Sequence, residues 1–272
     1  GHNGGSKTLQ AVLDLTPEQK GKLNNLDITG NRLVRLLGHK GGFNTLQAVL
    51  ELTSEQKETL NNLGITVDDL VRIAGRAGGS NSLQAVLELT SEQKEELKNL
   101  GITTDDLVGI VGQFGGSKSL QSLLDLLPEQ KEKLINLGIT GKNLVCIVGH
   151  GGGARSLQSL LDLQPEQREK LINLGITAKN LVSIVGQSGG SKSLQSLLAL
   201  QPEQRKKLIN LGITADNLVR IVRRGGSSST LPIVLALTLE QVKKLNDFEI
   251  TKDLLVNVVR KTNGARNLRA LL

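Results

Sequence analysis

Residues 65–101 read ITVDDLVRIAGRAGGSNSLQAVLELTSEQKEELKNLG, and this 37-residue frame recurs along the whole chain. Thr66-Val67-Asp68-Asp69 has the form of a capping box. In such a box the Thr hydroxyl accepts from the third helical N–H, and the acidic residue reaches back. Leu70, Val71, Ile73 and Ala74 then give the apolar stripe of a short helix, which Gly75 ends. Arg76-Ala77-Gly78-Gly79 is a loop, after which Ser80 or Ser82 is expected to cap a second helix, Leu83 to Leu89. Thr90-Ser91-Glu92-Gln93 is a second capping box, and a third helical piece runs from Gln93 to Leu100, closed by Gly101. In other copies Pro17, Pro128, Pro165 and Pro202 replace Ser91. Proline is tolerated in a first helical turn but not in a helix interior, so this point is a kink or a fresh start. Nothing in the unit alternates with the period of a strand.

Seven periods of 37 and 13 further residues account for all 272, so residues 1–272 are expected to form one array with eight loops and partial first and last repeats. Each unit is too small to bury its apolar faces alone, which predicts an all-α solenoid of stacked short helix–loop–helix repeats. With three Phe and no Trp, Tyr or Met, the core must be Leu, Ile, Val and Ala. The missing initial Met suggests an excised array. Cys146 lies in the run Leu144-Val145-Cys146-Ile147-Val148 and is expected to be a buried small apolar residue; a lone cysteine suits a cytosolic or nuclear setting. No apolar run approaches the roughly 20 residues of a membrane span. The net charge of +7 is uneven: residues 1–136 carry 14 Lys/Arg against 17 Asp/Glu (−3), and residues 137–272 carry 19 against 9 (+10). A basic surplus favours a polyanionic partner.

The frame is constant, but the two residues before each Gly pair change almost every time. The first of them is His2, His39, Arg76, Gln113, His150, Gln187, Arg224 or Lys261. All carry a donor, which suggests a side chain that folds back onto a helix carbonyl and braces the loop. The three histidines cannot converge on a metal if stacked repeats separate them. The second is Asn3, Lys40, Ala77, Phe114, Gly151, Ser188, Gly225 or Thr262. These share no chemistry, as expected of a contact that differs from unit to unit; the bland alternative is a loop tip free to drift.

The glycines allow a tight turn at the N-terminus of a helix, where free N–H groups and the dipole favour an anion. The candidate phosphate-binding residues are Gly5, Gly42, Gly79, Gly116, Gly153 and Gly190 with Lys7, Lys118, Arg155, Lys192 and Arg266. Asn44, Asn81 and Ser229 fill the cation's place in the other copies. The alternative is a solvated polar residue, but a cation there is mildly unfavourable unless an anion is present. No unique cluster of Asp, Glu and His resembles a catalytic site, so no enzymatic activity and no cofactor are expected.

The unit resembles the DNA-binding repeat of the transcription-activator-like effectors over the whole chain. That family's Leu-Thr-Pro-Glu-Gln, apolar run, variable pair, Gly-Gly and Ala-Leu-Glu helix are mirrored by Ile65-Thr66-Val67-Asp68-Asp69, Leu70 to Ala74, Arg76-Ala77, Gly78-Gly79 and Ser82-Leu83-Gln84. The period here is longer by about one helical turn, the family's Lys-Gln after the glycines is shifted to Ser-Lys, and most variable pairs are uncommon ones. The resemblance implies a right-handed superhelical solenoid around double-stranded DNA. Each repeat would set one loop in the major groove, the second variable residue reading one base and the first bracing the loop. It also implies a monomer without membrane or small-molecule partners, and a bacterial protein delivered to a host nucleus, otherwise cytoplasmic. Two other classes compete: a protein-binding helical scaffold, which would vary on a helical face, and a single-stranded RNA binder, which would use stacking aromatics.

Overall fold

The computed structural model describes residues 5–260 apart from 40, 77, 114, 150–152, 188 and 224–226, and of residues 5–8, 227–229, 239, 246, 252 and 260 it describes the backbone alone. The chain divides into two compact units, Gly1–Lys131 with Thr140–Gly149, and Glu132–Ile139 with His150–Leu272. Among the described residues there is no strand.

Three helices recur per repeat. The first follows each Gly pair: α1 (Gly5–Leu13), α4 (Gly42–Leu50), α7 (Gly79–Leu87), α10 (Gly116–Leu124), α13 (Gly153–Leu161), α16 (Gly190–Leu198) and α19 (Ser227–Ala236). The middle one is α2 (Pro17–Asn25), α5 (Ser54–Asn62), α8 (Ser91–Asn99), α11 (Pro128–Asn136), α14 (Pro165–Asn173), α17 (Pro202–Asn210) and α20 (Leu239–Asp247). The third leads to the next loop: α3 (Gly30–Leu37), α6 (Val67–Ala74), α9 (Thr104–Val111), α12 (Lys142–Val148), α15 (Ala178–Val185), α18 (Ala215–Val222) and α21 (Lys252–Arg260).

Helices this short are marginal on propensity, so their ends and their packing decide them. Thr53 Oγ1 accepts from the N–H of Gln56 at 3.1 Å while Gln56 Oε1 accepts from the N–H of Thr53 at 3.0 Å. Thr66 with Asp69 and Thr103 with Asp106 do the same for the third helix, and Asn180 and Asn217 replace the acid beside Thr177 and Thr214. Each cap contributes about 1 kcal/mol. The prolines mark a fresh start, not a kink: Pro17, Pro165 and Pro202 open their helices. The middle helix ends in a Schellman motif. The N–H of Ile65 reaches back to Leu60 O at 3.0 Å, with Gly64 between at φ +70°. The Ile of this Leu-Gly-Ile motif then plugs the core, Ile65 being 5% and Ile139 0% exposed.

Within each unit, packing runs from the first and third helices of a repeat to their counterparts one repeat on. In the first unit α3, α6, α9 and α12 pack in succession, as do α1, α4, α7 and α10; in the second, α15, α18 and α21, and α13, α16 and α19. The middle helices pack instead against the loop-following helix of the next repeat, as α5 does on α7 and α17 on α19. Polar bonds run between consecutive third helices. Asn180 Nδ2 donates to Asp216 Oδ1 at 3.0 Å, and Asn217 Nδ2 to Asp253 Oδ1 at 3.1 Å. Arg32 donates to both oxygens of Asp68 at 2.9 and 3.0 Å, which holds the Asp68 carboxyl below the usual carboxylate range. The two Asn are buried, so losing the partner would cost a desolvated amide.

Three expectations are corrected. Cys146 is exposed: the apolar stripe uses Leu144, Ile147 and Val148, and residue 146 falls in its gap, in register with exposed Arg35 and Arg72. Neither Ser80 nor Ser82 caps a helix, because α7 begins at Gly79 with Gly78 as its N-cap and no side-chain cap bond. The middle helix of that repeat starts at Ser91, not Gln93, because Thr90 is its cap.

The closing position of the middle helix holds glycine at 64, 101, 138, 175 and 212, all with positive φ, but Asp27 and Glu249 sit there at φ +53° and +55°. A side chain in this left-handed conformation costs about 1–2 kcal/mol. Glu249→Gly should therefore raise the unfolding free energy by about 1 kcal/mol in urea denaturation. A decrease would contradict the assignment of strain to this position.

Candidate functional site

The loops at 39–42, 76–79, 113–116 and 187–190 are each a four-residue turn between the third helix of one repeat and the first helix of the next. The N–H groups of Gly42, Gly79, Gly116 and Gly190 donate to the carbonyls of His39, Arg76, Gln113 and Gln187 at 3.1, 2.8, 3.0 and 2.9 Å. The two glycines of the pair are needed for different reasons. Gly41, Gly78, Gly115 and Gly189 have φ of +101°, +86°, +77° and +79° with ψ between 5° and 20°. That is the conformation of the third residue of a type II turn, which favours glycine. The second glycine has negative φ but no room. A Cβ on Gly42, Gly79, Gly116 or Gly190 would lie 2.5, 1.9, 2.1 or 2.3 Å from the carbonyl oxygen of the last residue of the preceding helix.

The turn fixes what the helix behind it can offer. The helices α4, α7, α10 and α16 have glycine N-caps and no side-chain cap bond, unlike the Thr-capped helices of the same repeats. Their first-turn N–H groups lack a side-chain oxygen and carry the positive end of the helix dipole. Lys118, Arg155 and Lys192 stand at the third position of α10, α13 and α16, exposed, and among the described residues none forms an ion pair. Asn44 and Asn81 occupy the same place, also exposed. Gly5 and Gly153 also begin their helices, Gly153 with φ +47° unlike the four second glycines above. The Lys7 side chain and Arg266 lie outside the described residues.

The first variable residue enters the turn through its backbone carbonyl. The Arg76 side chain is exposed and those of Gln113 and Gln187 are half-buried; none of the three forms a side-chain hydrogen bond among the described residues. His39 is half-buried, with both ring nitrogens shielded and the backbone of Ala74 as its nearest polar neighbour. Burial pushes its pKa below the ordinary value, and the backbone of Ala74, one repeat on, pulls the other way. His2, His150, Arg224 and Lys261 lie outside the described residues. So do all eight second variable residues: Asn3, Lys40, Ala77, Phe114, Gly151, Ser188, Gly225 and Thr262.

At one buried register two hydroxyls tie successive loops together, and the sequence reading missed it. Residues 45, 82, 119, 156, 193 and 230 are Ser or Thr, and all are buried. Ser119 Oγ donates to Val148 O at 2.7 Å and Ser193 Oγ to Val222 O at 2.6 Å. The donor belongs to the helix after one loop, and the acceptor ends the helix before the next. The signal was a hydroxyl kept inside a helix, where it has no intrinsic helical advantage. Among the described residues, no three His, Cys, Asp or Glu could hold a metal ion, and no helix is long and apolar enough to cross a membrane.

No protein-family model matches the chain, and neither does any curated protein.

Gly78→Ala should cost about 1–2 kcal/mol in urea denaturation. Gly79→Ala should cost clearly more, because its Cβ would overlap a backbone oxygen 1.9 Å away. Equal costs would contradict the two separate roles. For His39 the lowered folded pKa means that the unfolded chain takes up the proton first. Its contribution is whole above the ordinary value of 6.5 and is lost as the pH falls through the lowered value. Wild type should therefore lose more stability than His39→Gln between neutral and mildly acidic pH. Parallel losses would rule out a buried, neutral His39.

Proposed function

We propose that this chain binds double-stranded DNA sequence-specifically, with one loop per repeat in the major groove and one base read by each. The repeats would then wind as a right-handed superhelical solenoid around the duplex. One observation carries the reading: at the same register, a backbone-closed Gly-Gly turn leads into a helix N-terminus without a side-chain cap, followed by an exposed, unpaired cation. A phosphate supplies what such an N-terminus and cation both lack. The surplus of +10 in residues 137–272 adds a long-range attraction to a polyanion. The eight dissimilar second variable residues inside a constant frame supply the sequence-dependent part, with the first variable residue closing each described turn through its backbone carbonyl.

The readout follows from groove chemistry, taken N→C along 5′→3′ as in the family the repeat resembles. Asn3 and Lys40 are donors and favour guanine, whose major-groove edge offers two acceptors. Gly151 and Gly225 leave room for the thymine methyl. Phe114 favours a pyrimidine, while Ala77 and Ser188 discriminate poorly. The preferred strand is G-G-N-Y-T-N-T-N.

Selection from random duplexes tests this reading directly. Gly151→Asn should move one step from T toward a purine and leave its neighbours alone; movement at several steps, or at none, contradicts one loop per base. Arg155→Ala and Lys192→Ala should weaken all duplexes alike, each lowering the salt slope of binding by about one. A change of preferred sequence in either variant would remove these residues from the phosphate contacts.

A further inference from the structure

Three consecutive middle helices, α11, α14 and α17, carry an isoleucine that the fold does not bury. Ile135 is 49%, Ile172 69% and Ile209 64% exposed, each beside a core leucine, Leu134, Leu171 or Leu208. Earlier repeats hold exposed Asn24, Asn61 and Lys98 at this register, so packing within a repeat has no need of an apolar side chain there. Ile172 has a middle helix before it and another after it, so its exposure is not that of an end.

One helical turn before Ile172 and Ile209 stand Arg168 and Arg205. Both are half-buried, and the Nε of each is shielded and without a hydrogen-bond partner. On their own helices no acidic residue lies three or four positions from either, where an ion pair would form. The first unit shows what this register takes. There Lys131, the counterpart of Arg168, meets Glu96 of the repeat before at 3.3 Å. One and two repeats on, the cation is kept as Arg168 and Arg205, but the place of Glu96 is taken by Lys133 and Lys170. Lys133 turns its ammonium to Leu161 O. Each arginine is left without the carboxylate that its counterpart has, and a shielded donor without an acceptor is costly.

Arg168 and Ile172 line one groove of about 360 Å3, together with Asn136, Leu137, Leu171 and Ile176. Arg168 is the only charged residue that lines it. An occupant that completes this groove brings a carboxylate and an apolar group side by side. We propose that this face, at Arg168 with Ile172 and again at Arg205 with Ile209, docks an acidic amphipathic segment of another protein. Its carboxylates pair with the arginines, and its apolar side chains cover the isoleucines. The pair recurs at the period of the array, which suits an extended segment with repeated acidic and apolar residues rather than one small acid. The site uses no loop and no variable residue, so it stands apart from the DNA reading.

Fluorescence anisotropy tests it, with the whole chain titrated, in the absence of DNA, into a labelled peptide of Leu at helical spacing flanked by Glu. Wild type should bind this peptide, and should not bind one with Lys in place of Glu or Ser in place of Leu. Ile135→Asn, Ile172→Asn and Ile209→Asn combined install the residue that the chain itself carries at 61, and should weaken binding about tenfold or more. Arg168→Gln with Arg205→Gln should do the same. The far-ultraviolet circular dichroism of both variants should match wild type, because the isoleucines are exposed and the arginines bond to nothing. Arg155→Ala with Lys192→Ala should leave peptide binding unchanged, which separates this face from a general attraction to the loop cations. The proposal is overturned if wild type does not bind, if the isoleucine or arginine variant binds as wild type does, if the loop variant weakens binding equally, or if the Ser-for-Leu peptide binds as well. A mass above 29.1 kDa for wild type that the isoleucine variant abolishes would also overturn it, in favour of a second copy on this face.

Discussion

The structure depends on how closely the second glycine of each pair approaches the end of the helix before it. A Cβ at Gly79 would stand 1.9 Å from Ala74 O, so only glycine lets one helix fold back on the other within four residues. The turn is then closed by backbone alone, from the N–H of Gly79 to the carbonyl of Arg76. Because no side chain is needed to close it, the first variable residue is free to change from one described turn to the next. That accounts for how Arg76, Gln113 and Gln187 can share one turn. It also leaves the following helix with a glycine N-cap and no side-chain cap bond.

Such turns become an array only if successive ones are held in step. Buried hydroxyls do this near the loops, where Ser119 reaches Val148 O and Ser193 reaches Val222 O. Amides and carboxylates do it at the far end of the third helices, where Asn180 meets Asp216 and Asn217 meets Asp253. The ends of the array follow these rules less closely. Glu249 occupies a glycine's left-handed position, and Pro232 lies inside α19, where it removes a helical hydrogen bond.

Much of this was legible in the sequence because the decisive signals are local. Thr-x-x-Gln and Thr-x-x-Asp name their own helix starts, Leu-Gly-Ile names a Schellman end, and proline after Thr marks a first turn. The rest depended on three-dimensional register. Cys146 was misjudged because an apolar run on a helix still has an outward position, and that position is read only by aligning it with Arg35 and Arg72. Ser82 reads as a cap in the sequence because its burial has no local signature. The second glycine's role was hidden for the same reason: residues 74 and 79 meet only once the chain turns. Of the candidate site, the turn, its uncapped helix and the cations at 118, 155 and 192 could be placed on described structure; the second variable residues could not.

The central claim is that loops and bases correspond one to one. Duplicating residues 65–101 adds one complete frame with its Arg76-Ala77 pair, and selection from random duplexes then compares the longer array with the original. The account predicts a preferred site longer by one base pair at the inserted step, with the flanking preferences unchanged. An unchanged site, or one rewritten throughout, would contradict it.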